Sequence, residues 1–335
     1  AAETAQYGSR GASGVIEVTT KKGHGGQFHI SYDGNMGFES VYKNIKMLSG
    51  SEYVSTAKSL GMDYNDGGYD TDFPNSITRT GFVQNHHVAF SGGSESSNYR
   101  ASIGFMNHNT VIEINKYQNF VAKLDLSQKA FDDHLTVDLG VFGSSQKNND
   151  IFDVQKLFYS AATQNPTFST EQNASGGWDK NSTASQINPP QALLHEKNDE
   201  KSLNFNTHLR LTFDIVKDLK LILFGSYSYN STENSQFCPT WVWAQGQAYR
   251  GEHKSEDWLG NVSLNYQHTY GIHHISATLL GEYQKSKRTG FWTLVKGFTT
   301  NEFGYDNLGA GSIRPYGGTG SGYEDPSLGS VMGSI

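Results

Sequence analysis

The chain has 335 residues and a formal net charge of −7, so no basic surface for nucleic acid is indicated. Charged residues make up only 18% of the chain and hydrophobic residues 36%, while Tyr and Phe number 18 and 19. This composition suits strands with one apolar and one polar face better than a thick soluble core. The single cysteine, Cys238, excludes an internal disulfide and zinc sites built on paired thiolates.

The chain opens with AAETAQYGSRGASG, which has neither the basic start nor the apolar centre of a signal peptide. No apolar run approaches the roughly 18 residues that a membrane helix needs. The last residues, SLGSVMGSI, break off in the middle of a pattern. We therefore expect an export signal upstream of residue 1 and an internal fragment of a longer protein.

Strand-like segments of about ten residues, the span of a tilted membrane strand, follow one another from Gly26 onward. In residues 26–38 Phe28, Ile30 and Tyr32 share one face, and Asp33 and Asn35 share the other. A one-residue slip would exchange the two faces, so the register is well determined. The same alternation recurs at 99–106, 118–126, 135–141, 203–213, 221–230, 258–266 and 273–283.

The predicted connections alternate between short and long. Short turns are predicted at 93–98, 128–133, 214–218 and 268–271, and long polar loops at 39–81, 147–201, 231–255 and 287–328. A transmembrane β-barrel has this rhythm because short turns face the periplasm and long loops face outside. We predict an all-β fold that forms part of a large antiparallel transmembrane barrel, with about nine or ten strands present. Helices are predicted inside two long loops, at 51–60 and 150–164.

In a barrel the apolar faces would contact lipid and the polar faces would line the lumen. The residues expected to face the lumen are Asp33, Asn35, Asn204, Asn206 and Arg210.

Residues 7–23 read YGSRGASGVIEVTTKKG. This run resembles the end of the plug domain in the SusC/RagA family of TonB-dependent outer-membrane transporters. The matching positions are Tyr7, Gly8, Ser9, Arg10, Ala12, Gly14, Val15, Ile16, Thr19, Thr20, Lys21, Lys22 and Gly23. Family-like runs follow at 76–105, 165–167, 188–190, 307–312 and 320–328, so the resemblance extends over essentially the whole chain.

The resemblance implies a barrel of about 22 strands filled by a plug. Residues 1–25 would be the end of the plug and its linker, and residues 26–335 the first part of the barrel. A SusD-like lipoprotein would cover the outer loops, and the TonB–ExbB–ExbD complex would displace the plug through a missing N-terminal part. The implied cargo is an oligosaccharide or a peptide, carried across the outer membrane of a Gram-negative bacterium, with neither catalysis nor a cofactor.

Three other interpretations stay open. A TonB-dependent receptor for siderophores or vitamins would share the fold. A passive porin or adhesin would lack the plug strand. A soluble glycan-binding β module is the alternative from another class. The run GSRGASG does not have the spacing of a phosphate-binding loop.

Metal sites are a weaker interpretation of two groups of residues. The acidic loop at 63–72 misses the EF-hand spacing, so it is expected to be a solvated outer loop rather than a calcium site. The pairs His86–His87 and His273–His274 lie on strands, where adjacent side chains point to opposite faces and cannot chelate together.

Four aromatic residues on the predicted outer loops are candidate ligand contacts: Tyr69, Trp178, Trp241 and Trp243. They are expected either to pack within the loops, to join an interfacial aromatic belt, or to form a stacking platform for sugar rings or peptide side chains. Trp241 and Trp243 would share a face if their stretch were extended.

Overall fold

A single antiparallel sheet contains all eleven strands in residues 26–181 and 188–334, the parts of the chain that the computed structural model describes. Each strand from β1 to β9 pairs with the next along the chain. The strands are β1 Gly26–Glu39, β2 Gly81–Gly93, β3 Ser97–Asn109, β4 Lys116–Ala130, β5 Leu135–Asp150, β6 Lys197–Val216, β7 Leu219–Cys238, β8 Gln247–Tyr270, β9 His273–Lys296, β10 Thr319–Glu324 and β11 Ser327–Ser334.

The last two strands, β10 and β11, both pair antiparallel with β9 and together form one interrupted strand. The interruption falls at Asp325 and Pro326. Proline has no N–H to donate, so the ladder breaks there. The Pro326 carbonyl still accepts a hydrogen bond from the Ser286 N–H at 2.9 Å. The predicted count of about ten strands is therefore confirmed.

The alternation of connections is confirmed because consecutive antiparallel strands place alternate connections at opposite ends of the sheet. One end carries only short turns, at 94–96, 131–134, 217–218 and 271–272. The other carries the segments 40–80, 110–115, 151–196, 239–246 and 297–318. In the turn at 217–218, Asp218 has φ 74°, a conformation that Asp tolerates better than most residues.

Three predicted loops are shorter than expected because their strands continue. β7 ends at Cys238 and β8 begins at Gln247, so residues 239–246 replace the predicted loop at 231–255. The predicted loops at 147–201 and 287–328 likewise lose residues to β5, β6, β9, β10 and β11. In the added part of β7, residues 231–236 are polar on both faces, so hydrophobic alternation disappears although the backbone ladder persists.

The two faces of the sheet differ as predicted. Phe28, Tyr32 and Leu209 keep 59%, 61% and 42% of their surface exposed, so no second layer of described residues covers them. We call the face that carries these three side chains the outer face, and the opposite one the inner face. Large apolar side chains exposed along adjacent strands match a lipid-facing surface.

The apolar band on the outer face crosses the strands obliquely. On β1 and β2 it extends to Phe38 and its partner Phe82, whereas on β8 it begins at Trp258. The row of register partners that includes Phe38 and Phe82 meets β8 at Arg250, eight positions before Trp258. Strands that tilt relative to a membrane produce this offset, because the membrane plane cuts across the hydrogen-bonded rows.

The described parts of the long connections contain four α-helices: α1 Gly50–Ser59, α2 Phe73–Ser76, α3 Val154–Thr163 and α4 Pro190–Leu193. The two predicted helices correspond to α1 and α3. α1 begins with a capping box in which Ser49 and Glu52 exchange hydrogen bonds. α3 starts later than predicted, because Asp150 ends β5 and the Asp153 carboxylate caps the helix by accepting from the Lys156 N–H at 2.9 Å.

Residues of the long connections form a hydrophobic core of their own, which we call the loop core. Leu157 and Ile77 are fully buried at its centre. Its other members are Phe73, Ile112, Ile151, Ala161, Phe168 and Leu193. Among the described residues, no helix is long and apolar enough to cross a membrane.

Candidate functional site

The half of the inner face nearer the long connections, which we call the upper half, carries a ladder of neutral hydrogen-bonding side chains. Ser144, Asn204 and Asn230 are register partners on β5, β6 and β7. The Asn204 amide donates to the Ser144 hydroxyl at 3.2 Å, and the Asn230 amide donates to the Asn204 carbonyl oxygen. In the next row the Ser202 and Thr232 hydroxyls lie 3.1 Å apart. These side chains offer donors and acceptors to a polar ligand without presenting charge.

Three charged side chains on the inner face, Lys123, Asp125 and Arg210, lie closer to the short-turn end than this ladder, whereas Glu200 lies one row beyond it towards the long connections. The Lys123 ammonium contacts the Asp125 carboxylate at 2.9 Å, one position apart on the same face of β4. Arg210 lies opposite Asp138 in the register and places its guanidinium 5.5 Å from the Phe224 ring centroid. This lower part of the face is therefore suited to charged contacts rather than neutral ones.

The five residues predicted to face the lumen lie on this inner face. Asn204, Asn206 and Arg210 alternate with outward-facing residues on β6. Asp33 and Asn35 lie on β1. Successive register partners on β2, β3 and β4 connect them to inner-face residues of β5, so they share this face. Contact of these residues with a plug or a ligand stays a prediction.

A cavity of about 820 Å³ opens between the first long connection and α3. Polar lining residues include Lys46, Glu52, Asp63 and Asp70, and Tyr53 and Tyr64 supply aromatic surface. The Asp70 carboxylate already accepts a hydrogen bond from the Gly50 N–H at 2.7 Å. The cavity is large enough for a small ligand or for a side chain of a peptide.

The acidic loop at 63–72 uses its carboxylates locally. The Asp66 carboxylate accepts from the Gly68 N–H at 3.0 Å, and the Asp72 carboxylate accepts from the Asn75 N–H at 3.1 Å. Within 26–181 and 188–334, no three His, Cys, Asp or Glu side chains are grouped so that they could hold a metal ion. The geometry therefore supplies no support for a calcium site here.

Neither histidine pair is arranged for chelation. His86 and His87 are consecutive residues of β2, and the His86 ring contacts the Tyr32 hydroxyl at 2.7 Å on the outer face. His273 and His274 begin β9, where the His274 ring contacts the Thr269 hydroxyl at 3.0 Å.

The four candidate aromatic residues fall into two groups. Trp178 is 9% exposed and donates its indole N–H to the Thr170 carbonyl at 2.9 Å. Its ring centroid lies 5.4 Å from that of Trp241 in an edge-to-face contact. Trp243 and Tyr69, by contrast, are 52% and 57% exposed.

The stretch that contains Trp241 and Trp243 is a turn rather than an extended segment, so the two indoles do not share a face. Trp241 packs with Trp178, whereas Trp243 lies beneath the Lys296 ammonium, 5.3 Å from its ring centroid. The structure thus gives Trp241 and Trp178 a packing role and leaves Trp243 and Tyr69 accessible. Ligand binding by any of the four stays a prediction.

Sequence reasoning missed His195, which completes the aromatic cluster. Its ring lies 5.0 Å from Trp178 and 5.1 Å from Trp241. Burial, and then the charge of Lys197, lower the pKa of His195, so the ring is neutral at ordinary pH. The three residues are distant in sequence and follow no periodic pattern, so the sequence alone gave no signal for their contact.

Glu196, beside the cluster, is a buried carboxyl group that sequence reasoning also missed. It is only 5% exposed, and the buried Cys238 thiol lies 3.9 Å from one of its carboxyl oxygens. Burial raises the pKa of Glu196, against the opposing attraction of Lys156. A buried carboxyl group with a raised pKa links the stability of the loops to pH.

No family model matches the chain. Among curated proteins, the chain is similar to the TonB-dependent receptor P3 of Formosa agariphila, at 28% identity over 93% of this chain and 32% of the receptor. It is also similar to the TonB-dependent receptor SusC of Bacteroides thetaiotaomicron, at 30% identity over 87% of this chain and 32% of the receptor. The chain thus spans about a third of the length of these relatives.

Solved structures of a RagAB peptide importer share the fold. The open-open state superimposes with a TM-score of 0.77 over 99% of this chain and 42% of that chain, at 15% identity. The closed-closed state gives a TM-score of 0.74 over 97% of this chain and 42% of that chain, at 15% identity.

A meandering antiparallel sheet with one apolar and one polar face, matched along its length by these structures, has the fold of part of their large antiparallel β-barrel. The predicted fold class is confirmed. Within that class, the chain is a homologue of the SusC-like TonB-dependent receptors, as the resemblance implied. Its relatives are receptors and an importer by name rather than enzymes. The motif that carried the resemblance, at 7–23, lies outside the described residues.

Proposed function

We propose that the chain forms the end of the plug and part of the barrel wall of a transporter that takes up a nutrient across the outer membrane of a Gram-negative bacterium. Residues 1–25 would belong to the plug and residues 26–335 to the barrel. The observation that carries the proposal is the similarity to SusC at 30% identity over 87% of the chain. The exposed apolar band on the outer face supports the membrane location.

The proposed mechanism uses the difference between the two faces. The outer face contacts lipid and fixes the wall. A polar ligand that passes the displaced plug would meet the neutral ladder around Asn204 and exchange hydrogen bonds with it. Such contacts replace water without trapping the ligand in an ion pair. The force that displaces the plug would come from the TonB–ExbB–ExbD complex.

The long connections form the outer rim of the proposed transporter. Their loop core is independent of the sheet, so the rim can present a fixed surface to a partner. A SusD-like lipoprotein is the partner that similarity to SusC supports. The RagAB importer is a peptide importer by name, and the resemblance of the sequence to the SusC/RagA family implies an oligosaccharide as the other cargo, so both cargo classes belong to the proposal.

Deletion of the complete gene tests the function. Growth should fail on one oligosaccharide or peptide source and should recover on its monomers. Deletion of TonB should give the same defect, and fractionation should find the product in the outer membrane. A growth defect restricted to iron limitation would favour a siderophore receptor instead. A water-soluble product would contradict any transport function and favour the glycan-binding module.

A further inference from the structure

Two lysines face each other on the outer face just above the apolar band. Lys147 on β5 and Lys201 on β6 are direct register partners, and both side chains are exposed. Lys201 precedes Leu203, the first apolar residue of the band on β6, which is 51% exposed. Like charges directly opposite on a sheet destabilise it, so this pair calls for a compensating anion.

The nearest carboxylates are already engaged by other groups. Asp199 is the next residue on the outer face of β6 after Lys201 towards the long connections. Its carboxylate accepts hydrogen bonds from the Asn149 amide at 2.8 Å and from the Tyr305 hydroxyl. Glu233, the register partner of Lys201 on β7, contacts the Arg250 guanidinium at 3.8 Å. Within the described ranges, neither lysine of the pair has a carboxylate within ion-pair distance.

The position of the pair indicates which anion it would meet. Register partners on antiparallel strands have Cα atoms about 4.5–5.5 Å apart, so two ammonium groups can converge on one phosphate. Acyl chains packed on Phe205 and Leu209 would end at the level of Lys201, where lipid headgroups begin. A third amine, Lys116, lies one row further from the band on β4.

We propose that Lys147 and Lys201 bind the phosphate of a phosphorylated glycolipid in the outer leaflet, with its acyl chains along the apolar band. The proposal rests on the proposed membrane location and goes beyond the transport function. The bound lipid would neutralise the opposed charges and join β5 to β6 where the strands leave the membrane. It would therefore stabilise the wall directly beneath the loop core.

The test uses the complete receptor, purified in detergent, with monophosphoryl lipid A as the probe. Native mass spectrometry would measure its binding to the unaltered receptor and to the double variant Lys147→Gln with Lys201→Gln. The matched control, Lys254→Gln with Lys285→Gln, removes the same charge from outer-face lysines that already pair with Glu252 and Asp325. We expect a loss of at least roughly tenfold in affinity for the first variant and little change for the control.

Two further arms identify the ligand. Dephosphorylated lipid A should bind the unaltered receptor only weakly. Its affinity should be about that of monophosphoryl lipid A for the Lys147→Gln, Lys201→Gln variant. Inorganic phosphate should not compete at low millimolar concentration, because it lacks the acyl contacts; strong competition would assign a free anion site and overturn the lipid proposal. Equal binding by both double variants would also overturn it. Outer-membrane fractionation of every variant keeps this result separate from a failure of the transport proposal.

Discussion

Leu209 tests whether the outer face contacts lipid. It lies on β6 near the middle of the outward-facing run from Leu203 to Phe213, and 42% of its surface is exposed. Its register partners are Leu139 and Gly225, neither of which can pair with a charge. Arginine near the bilayer midplane of a barrel costs about 2–4 kcal/mol, so Leu209→Arg should make the free energy of folding into lipid less favourable by that amount.

The matched control is Asn206→Arg, three positions away on the inner face, where the side chain is exposed among polar groups. It should change the folding free energy by no more than about 0.5 kcal/mol. Urea titration of the complete receptor folded into lipid vesicles, followed by heat-modified mobility on gels, measures both variants.

A second readout locates Leu209 directly. A bimane label on Leu209→Cys, in a Cys238→Ser background, should be quenched by doxyl-labelled lipid, whereas the same label on Asn206→Cys should not. Equal destabilisation by the two arginines, together with no lipid quenching at Leu209, would refute the assignment of the faces.

Three further results are expected. Leu157→Ala, at the fully buried centre of the loop core, should cost about 2–5 kcal/mol and accelerate hydrogen exchange in the loops while the strands stay protected. Burial raises the pKa of Glu196 in the folded state, so its contribution to stability is complete below the ordinary carboxyl pKa and is lost as pH rises through the raised value. Thermal melting of the receptor in detergent should show that loss of stability as pH rises. Glu196→Gln should abolish this pH dependence, and a variant with the same pH profile as the unaltered receptor would contradict the prediction. Trp241→Ala should destabilise the loops by about 2 kcal/mol through lost ring packing. Trp243 is exposed, so Trp243→Ala should leave the melting temperature unchanged, and it should weaken ligand binding if that residue is a contact.

The sequence predicted what depends on local patterns. Alternation at Phe28, Ile30 and Tyr32 assigned the faces of β1, because a strand places successive side chains on opposite sides. The helix predicted at 51–60 corresponds to α1, because helix caps use only neighbouring residues, here the capping box of Ser49 and Glu52. Both features are confirmed because their physical causes act over a few positions.

The sequence did not predict what depends on contacts between distant segments. The residues of β7 from 231 to 236 are polar on both faces, and the ladder with β6 and β8 keeps them extended. The cluster of Trp178, His195 and Trp241 joins two connections, 151–196 and 239–246, that pack against each other at the same end of the sheet. No spacing rule links such residues, so the predicted platform of Trp241 and Trp243 lacked its geometric basis.

From β3 to β8 the strands lengthen, from 13 residues to 24. On β8 the additional length lies above Trp258, where the eleven residues 247–257 precede the apolar band. At about 3.3 Å per residue and a tilt near 45°, they would raise this flank roughly 25 Å beyond the bilayer. The extracellular rim of the channel would then be higher at β8 than at β1. Cargo that approaches over β1 would contact the inner face of the extended β8 before it enters the channel.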